Sequence, residues 1–137
     1  METPATYAPR RLLLDTHTWL WWQSRDRRLG RAARRLVSSA DDVRFSAASA
    51  WEIAIKSAIG KLEVPAGSSI SRELELDGFT QLPVTIAHAD AVRQLPPLHR
   101  DPFDRMLVAQ ALVEGLTIVT ADEALRAYGV AVVDATT

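Results

Sequence analysis

Apolar positions along this chain fall into two rhythms that alternate from one end to the other. Leu12-Leu13-Leu14 is a short unbroken apolar run closed by Asp15, the mark of a buried strand, and it feeds a tryptophan-rich helical stretch from Thr18 to Trp22. Leu29, Ala32, Ala33, Leu36 and Val37 then recur at helical spacing. Val43 to Ser46 predicts a second strand, and Ser46 or Ser49 can cap a helix that continues through Trp51, Ile55 and Ile59 to a stop at Gly60.

Residues 64–71 hold proline, glycine and serines and predict a loop, followed by a helix from Ser71 to Leu76 that ends at Asp77-Gly78. A brief strand from Phe79 to Val84 precedes a helix over Ile86 to Gln94, capped by Thr85 and broken by Pro96-Pro97. The next helix starts at Asp101 and stops at Gly115. Leu116 to Val119 is a strand, Ala121 to Tyr128 a short helix closed by Gly129, and Val130 to Val133 a last strand. Strands alternating with helices predict an α/β fold with a mostly parallel central sheet.

Composition narrows this picture. A chain of 137 residues, 47% hydrophobic and 24% charged, with no repeat or long linker, describes one domain over 1–137, residues 1–10 being a loosely ordered extension. The absence of cysteine excludes a disulfide framework and thiolate metal sites. His17, His88 and His99 are scattered, so an imidazole-rich metal site is not expected either. Apolar stretches fall short of the ~20 residues a membrane span needs, and Met1 to Pro9 lacks the apolar core of a signal peptide, so a cytoplasmic, membrane-free protein is expected.

The net charge of -1 hides an asymmetry, because Arg25, Arg27, Arg28, Arg31, Arg34 and Arg35 crowd one segment. They are either the solvated face of a helix or contacts for phosphates or for the carboxylates of a partner.

The chemistry lies in the acids. Asp15 follows a strand and can cap the next helix, and Asp101, followed by Pro102, is a better cap still. Asp104 falls in the first turn, where an acid complements the helix dipole, yet it shares a face with Leu107, Val108 and Ala111. Glu52 sits among Ala48, Ile55 and Ile59, with Lys56 one turn on as a possible salt bridge. Asp122 follows a strand, with Thr120 as a competing cap.

Each acid has a structural explanation alone, but Asp15 and Asp122 lie just past the C-terminal ends of strands, where open α/β sheets bind ligands, and Glu52 and Asp104 can point there from helices. Ionised carboxylates within about 4 to 6 Å repel strongly unless a cation neutralises them. Oxygen donors suit magnesium or manganese, and such an ion can activate water against a phosphodiester.

The segment Leu12 to His17, the stretch Ser46 to Lys56 with Gly60-Lys61-Leu62, the run Arg100 to Ala111 and Val119-Thr120-Ala121-Asp122 resemble PIN-domain proteins, especially VapC toxins of bacterial toxin–antitoxin pairs. The resemblance spans roughly Arg11 to Val133. It implies a three-layer α/β/α sandwich, a Mg2+-dependent endoribonuclease with Mn2+ as a substitute, a homodimer, and inhibition by a VapB-type antitoxin. Carried over by position, Asp15, Glu52, Asp104 and Asp122 match the family's catalytic, metal-binding acids; Thr16 and Thr120 match accessory polar positions, and Asp101 an accessory acid.

Two other readings stay open at the level of sequence. In a non-catalytic binding module the acids only cap helices, and Trp19, Trp21 and Trp22 dock a partner beside the arginines. An aspartyl-phosphate phosphatase would use Asp15 with a second acid two residues on, where this chain has His17.

Overall fold

A computed structural model of the protein describes residues 11–137; the expected N-terminal extension, residues 1–10, lies outside the described residues. In chain order the elements are β1 (Arg11–Leu14), α1 (Thr16–Ser24), α2 (Arg31–Ser39), β2 (Asp42–Ser46), α3 (Ala47–Ala58), α4 (Ile70–Asp77), β3 (Thr80–Leu82), α5 (Ile86–Gln94), α6 (Pro102–Glu114), β4 (Thr117–Thr120), a 3-10 helix (Glu123–Tyr128) and β5 (Val132–Asp134). The five strands form one sheet in the order β3-β2-β1-β4-β5. Every pairing is parallel, so the sheet expected to be mostly parallel is wholly so.

The apolar run at β1 is explained by its central place, covered on both faces. Leu12 and Leu14 point to one side and pack with Trp19, Ala33, Val37 and Phe45 beneath α1 to α4. Leu13 points to the other and meets Leu107, Val108 and Ile118 beneath α6 and the 3-10 helix. α5 packs on α6 and completes that outer layer. The result is helices on both faces of the sheet, a three-layer α/β/α sandwich.

Two local details sharpen the pattern read in the sequence, and the burial of α3 differs from it. The segment before Gly129 is a 3-10 helix rather than an α-helix, consistent with its short length. Ser46, not Ser49, caps α3 by accepting the N–H of Ala48 at 3.0 Å. α3 is also less buried than its composition implies: its buried stripe is Ala48, Ser49, Glu52 and Ile53, while Trp51 is 64% exposed and Ile59 61%. Gly30 is required where it stands, because a Cβ there would come within 2.2 Å of the Thr137 backbone.

β1 and β4 are neighbours, yet the chain leaves β1 for β2 on one side and leaves β4 for β5 on the other. Strand order reverses between them, and the crevice beyond their C-terminal ends is where such sheets bind ligands. Asp15 follows β1 at this point, Thr120 ends β4, and Asp122 comes two residues later.

Candidate active site

Asp15, Thr16, Glu52, Asp101, Asp104 and Asp122 line one cleft of about 470 Å³ at the strand-order reversal. Thr120, the remaining residue singled out in the sequence, is buried at its base and hydrogen-bonded to Asp15. The structure therefore brings together all seven expected positions, from five different elements and their flanks.

Capping and a role in the cleft are not alternatives here, because a carboxylate has two oxygens. Asp15 Oδ1 accepts the N–H of Thr18 at 2.9 Å and caps α1, while Oδ2 accepts the Thr120 hydroxyl at 2.5 Å. Asp101 Oδ1 accepts the N–H groups of Phe103 and Asp104 at 2.8 and 3.3 Å and caps α6. Asp122, rather than Thr120, caps the 3-10 helix, with Oδ1 accepting the N–H of Ala124 at 3.0 Å. Thr120 Oγ1 instead accepts the N–H of Asp122 at 3.0 Å. Helix capping thus fixes the direction of three acids and leaves an oxygen of each for other partners.

Glu52 is buried, and both its oxygens are satisfied: Oε1 accepts the Thr16 hydroxyl at 2.5 Å, and Oε2 accepts from Lys56 Nζ at 2.6 Å. That bond raises the pKa of the Lys56 ammonium, with burial opposing and the charges of Glu52, Asp101 and Asp104 adding to the rise. The salt bridge expected from the sequence is present, but it is part of the cleft wall rather than of a surface.

Asp104 carries the clearest electrostatic mark of the site. Its carboxyl is pushed from 3.8 up to about 7, first by burial and then by the charge of Asp101; Asp15 and Asp122 add to the rise, and His99 opposes it. Such a group in a cleft with named charge partners is a functional-site candidate on physical grounds.

His99 was not anticipated in the sequence. Its Nε2 lies 3.1 Å from Asp122 Oδ2 and 3.5 Å from Asp104 Oδ2. The only signal was its position two residues before Asp101 in His99-Arg100-Asp101, because the fold rather than the sequence brings it to Asp122. His17, in place of a second acid after Asp15, lines the cleft beside Trp21.

Trp21 also links the acids to the basic segment, since the Arg28 guanidinium lies 5.2 Å above its ring. Beyond it, Arg25, Arg27, Arg31 and Arg34 line a separate cleft of about 1180 Å³.

An all-parallel α/β/α domain with carboxylates gathered at the reversal of strand order is the class that fold and site define. The PIN domain family model matches residues 12–131, and the chain belongs to the PIN-domain family. It is 29% identical over 119 residues to Ribonuclease VapC22 of Mycobacterium tuberculosis (strain ATCC 25618 / H37Rv), a match covering 85% of this chain and 91% of the relative. Its fold is similar to that of FitAcB from Neisseria gonorrhoeae, with a TM-score of 0.64 and 22% identity over 90% of this chain and 96% of the other. It is also similar to VapBC2 from Rickettsia felis bound to a DNA fragment from the promoter, with a TM-score of 0.67 and 11% identity over 89% and 96% of the two chains.

Proposed function

We propose that this protein is a Mg2+-dependent endoribonuclease that acts as the toxin of a VapBC-type toxin–antitoxin pair, with Mn2+ as a substitute metal. The observation that carries the proposal is the convergence of Asp15, Glu52, Asp104 and Asp122 on one cleft of a PIN-domain chain. The similarity to a VapC ribonuclease supports RNA as the substrate.

The donor set fits a hard divalent cation, since it is built from carboxylates and hydroxyls. The pKa of about 7 at Asp104 reflects burial first and then repulsion from Asp101, and a bound cation would oppose both by favouring the charged carboxylate. Asp15 and Asp104 would be the principal ligands, Asp122 would hold a second or shared ion, and Glu52 would shape the site. Bound Mg2+ would supply an acidified water and positive charge against the phosphate.

The chain's own groups prepare that chemistry. Thr120 holds Asp15 Oδ2 in place, and the capping bond at Oδ1 fixes the carboxylate plane. Thr16 and Lys56 hold Glu52, and Lys56 also brings a cation to a wall that is otherwise acidic. Arg27 and Arg31, in the separate basic cleft, would offer positive charge to the RNA backbone.

A VapB-type antitoxin and a homodimeric, cytoplasmic protein complete this reading. The likeness to solved FitAcB and VapBC2 folds supports it, as does the exposed apolar surface around Trp51, which stacks edge-on against Phe103. Among the described residues no helix is long and apolar enough to cross a membrane. Expression of this chain alone in a bacterial host should arrest growth with loss of intact RNA, and Asp104→Asn should be harmless; continued growth with intact RNA would oppose the toxin assignment.

A further inference from the structure

The loop between α5 and α6 places His99 beside Asp104 and Asp122. The ligand atoms of His99, Asp104 and Asp122 all lie within 4.8 Å of one another, a spacing that suits a shared cation with the imidazole as a nitrogen ligand. The other ring nitrogen argues against that arrangement. The backbone N–H of Asp101 donates to His99 Nδ1 at 3.2 Å, so Nδ1 presents its lone pair. In a neutral imidazole the proton must then sit on Nε2, the atom facing the carboxylates, and a protonated nitrogen cannot ligate a metal. Metal-binding histidines show the opposite scheme, with the outer nitrogen donating to a carboxylate or carbonyl.

The Asp101 N–H is not free to turn away. Asp101 is the cap of α6, held by its Oδ1 bonds to Phe103 and Asp104, and its carbonyl accepts the N–H of Arg105 at 3.1 Å. The start of α6 therefore sets the tautomer of His99.

We infer that His99 is a positioning residue and not a metal ligand: its Nε2–H donates to Asp122 Oδ2 and faces Asp104 Oδ2, holding the two acids in register. This rests on the reading of the cleft as a metal site. At 3.1 Å the contact to Asp122 is a hydrogen bond, whereas the 3.5 Å contact to Asp104 is electrostatic. With Oδ1 on Ala124 and Oδ2 on His99, Asp122 is held at both oxygens and so has one orientation to offer a cation. Removal of His99 leaves Asp122 with its capping bond alone.

The test is long-range proton–nitrogen NMR of the full chain labelled with 15N-histidine, in mildly alkaline buffer, without and with Mg2+ alone. The Nε2–H tautomer is expected in both states. A ring that is protonated at Nδ1, or that moves its proton to Nδ1 when Mg2+ is added, would overturn the inference and make His99 a ligand. Calorimetry with Mg2+ provides the second readout. His99→Ala should weaken binding about tenfold, while His99→Gln, whose amide reaches the place of Nε2–H, should stay within about threefold of the parent. Equal loss in both variants, or no loss in either, would contradict a positioning role. If the parent protein binds no Mg2+, the metal-site reading fails, and the tautomer of the metal-free ring still decides the bonding at His99.

Discussion

Thr120 Oγ1 donates to Oδ2 of Asp15 at 2.5 Å, across the boundary between β4 and β1, and the same oxygen accepts the N–H of Asp122 at 3.0 Å. One buried hydroxyl thus ties the end of β1 to the turn that carries Asp122. Thr120→Val keeps the volume and removes both bonds, so it should lower stability by about 1 to 3 kcal/mol in urea denaturation. With Asp15 as a metal ligand, as proposed, Mg2+ affinity should also fall about tenfold or more. Thr120→Ser should recover most of both losses; a fully stable, tight-binding Val variant would show that the hydroxyl orients nothing.

Asp104 makes stability depend on pH in a direction opposite to that of an ordinary ion-paired acid. Its folded pKa of about 7 lies above the reference value of 3.8, so between these values the folded state keeps a proton that the unfolded state has released. Stability of the metal-free protein should therefore fall as pH rises from about 4 and level off above about 7. Asp104→Asn should flatten that slope and stabilise the metal-free protein at pH above 7 by roughly 1 to 2 kcal/mol, a shift at 1.36 kcal/mol per unit being discounted because the side chain is 26% exposed. Thermal melts across pH in EDTA measure this directly, and a variant less stable than the parent at high pH would refute it.

Lys56 and Glu52 form a pair with one buried member. Lys56→Met leaves the Glu52 carboxylate with the Thr16 hydroxyl as its remaining side-chain donor and should destabilise the metal-free protein by about 1 to 3 kcal/mol. Glu52→Gln in the same chain should restore part of that loss, because the uncompensated charge is gone. Additive losses in the double variant, measured by denaturation, would mean that the two side chains are not coupled.

The proposed function would use the arginine cleft to hold the RNA backbone. Arg27 and Arg31 are exposed and line it. Changing both to glutamate, on an Asp104→Asn background that prevents cleavage, should weaken binding of single-stranded RNA. The plot of log affinity against log salt should also become shallower by roughly 0.7 for each phosphate that the protein no longer neutralises. Unchanged affinity and slope would return these arginines to a solvated helix face.

Much of this site was legible in the sequence because its acids sit at positions that local rules already mark. Asp15 and Asp101 read as helix caps, and both do cap helices while lining the cleft. Glu52 stood out as an acid on an apolar helix face, and its burial bears that out, although its stripe holds Ser49 and Ile53 in place of Ile55 and Ile59. His99 was invisible for the opposite reason. Its role depends on the path of an irregular loop after Pro96-Pro97 and on a partner 23 residues away, which no periodicity reports. The exposure of Trp51 was equally hidden, since composition identifies an apolar helix but not which of its faces the sheet covers.

The decisive measurement is cleavage of a fluorophore-quencher RNA by purified, antitoxin-free protein in Mg2+, in EDTA, and by Asp104→Asn as a control for contaminating nuclease. Cleavage in Mg2+ that is abolished by EDTA and absent from the variant is the predicted result. Equal cleavage by Asp104→Asn and the parent, or cleavage that persists in EDTA, would contradict a metal-dependent ribonuclease built on these acids.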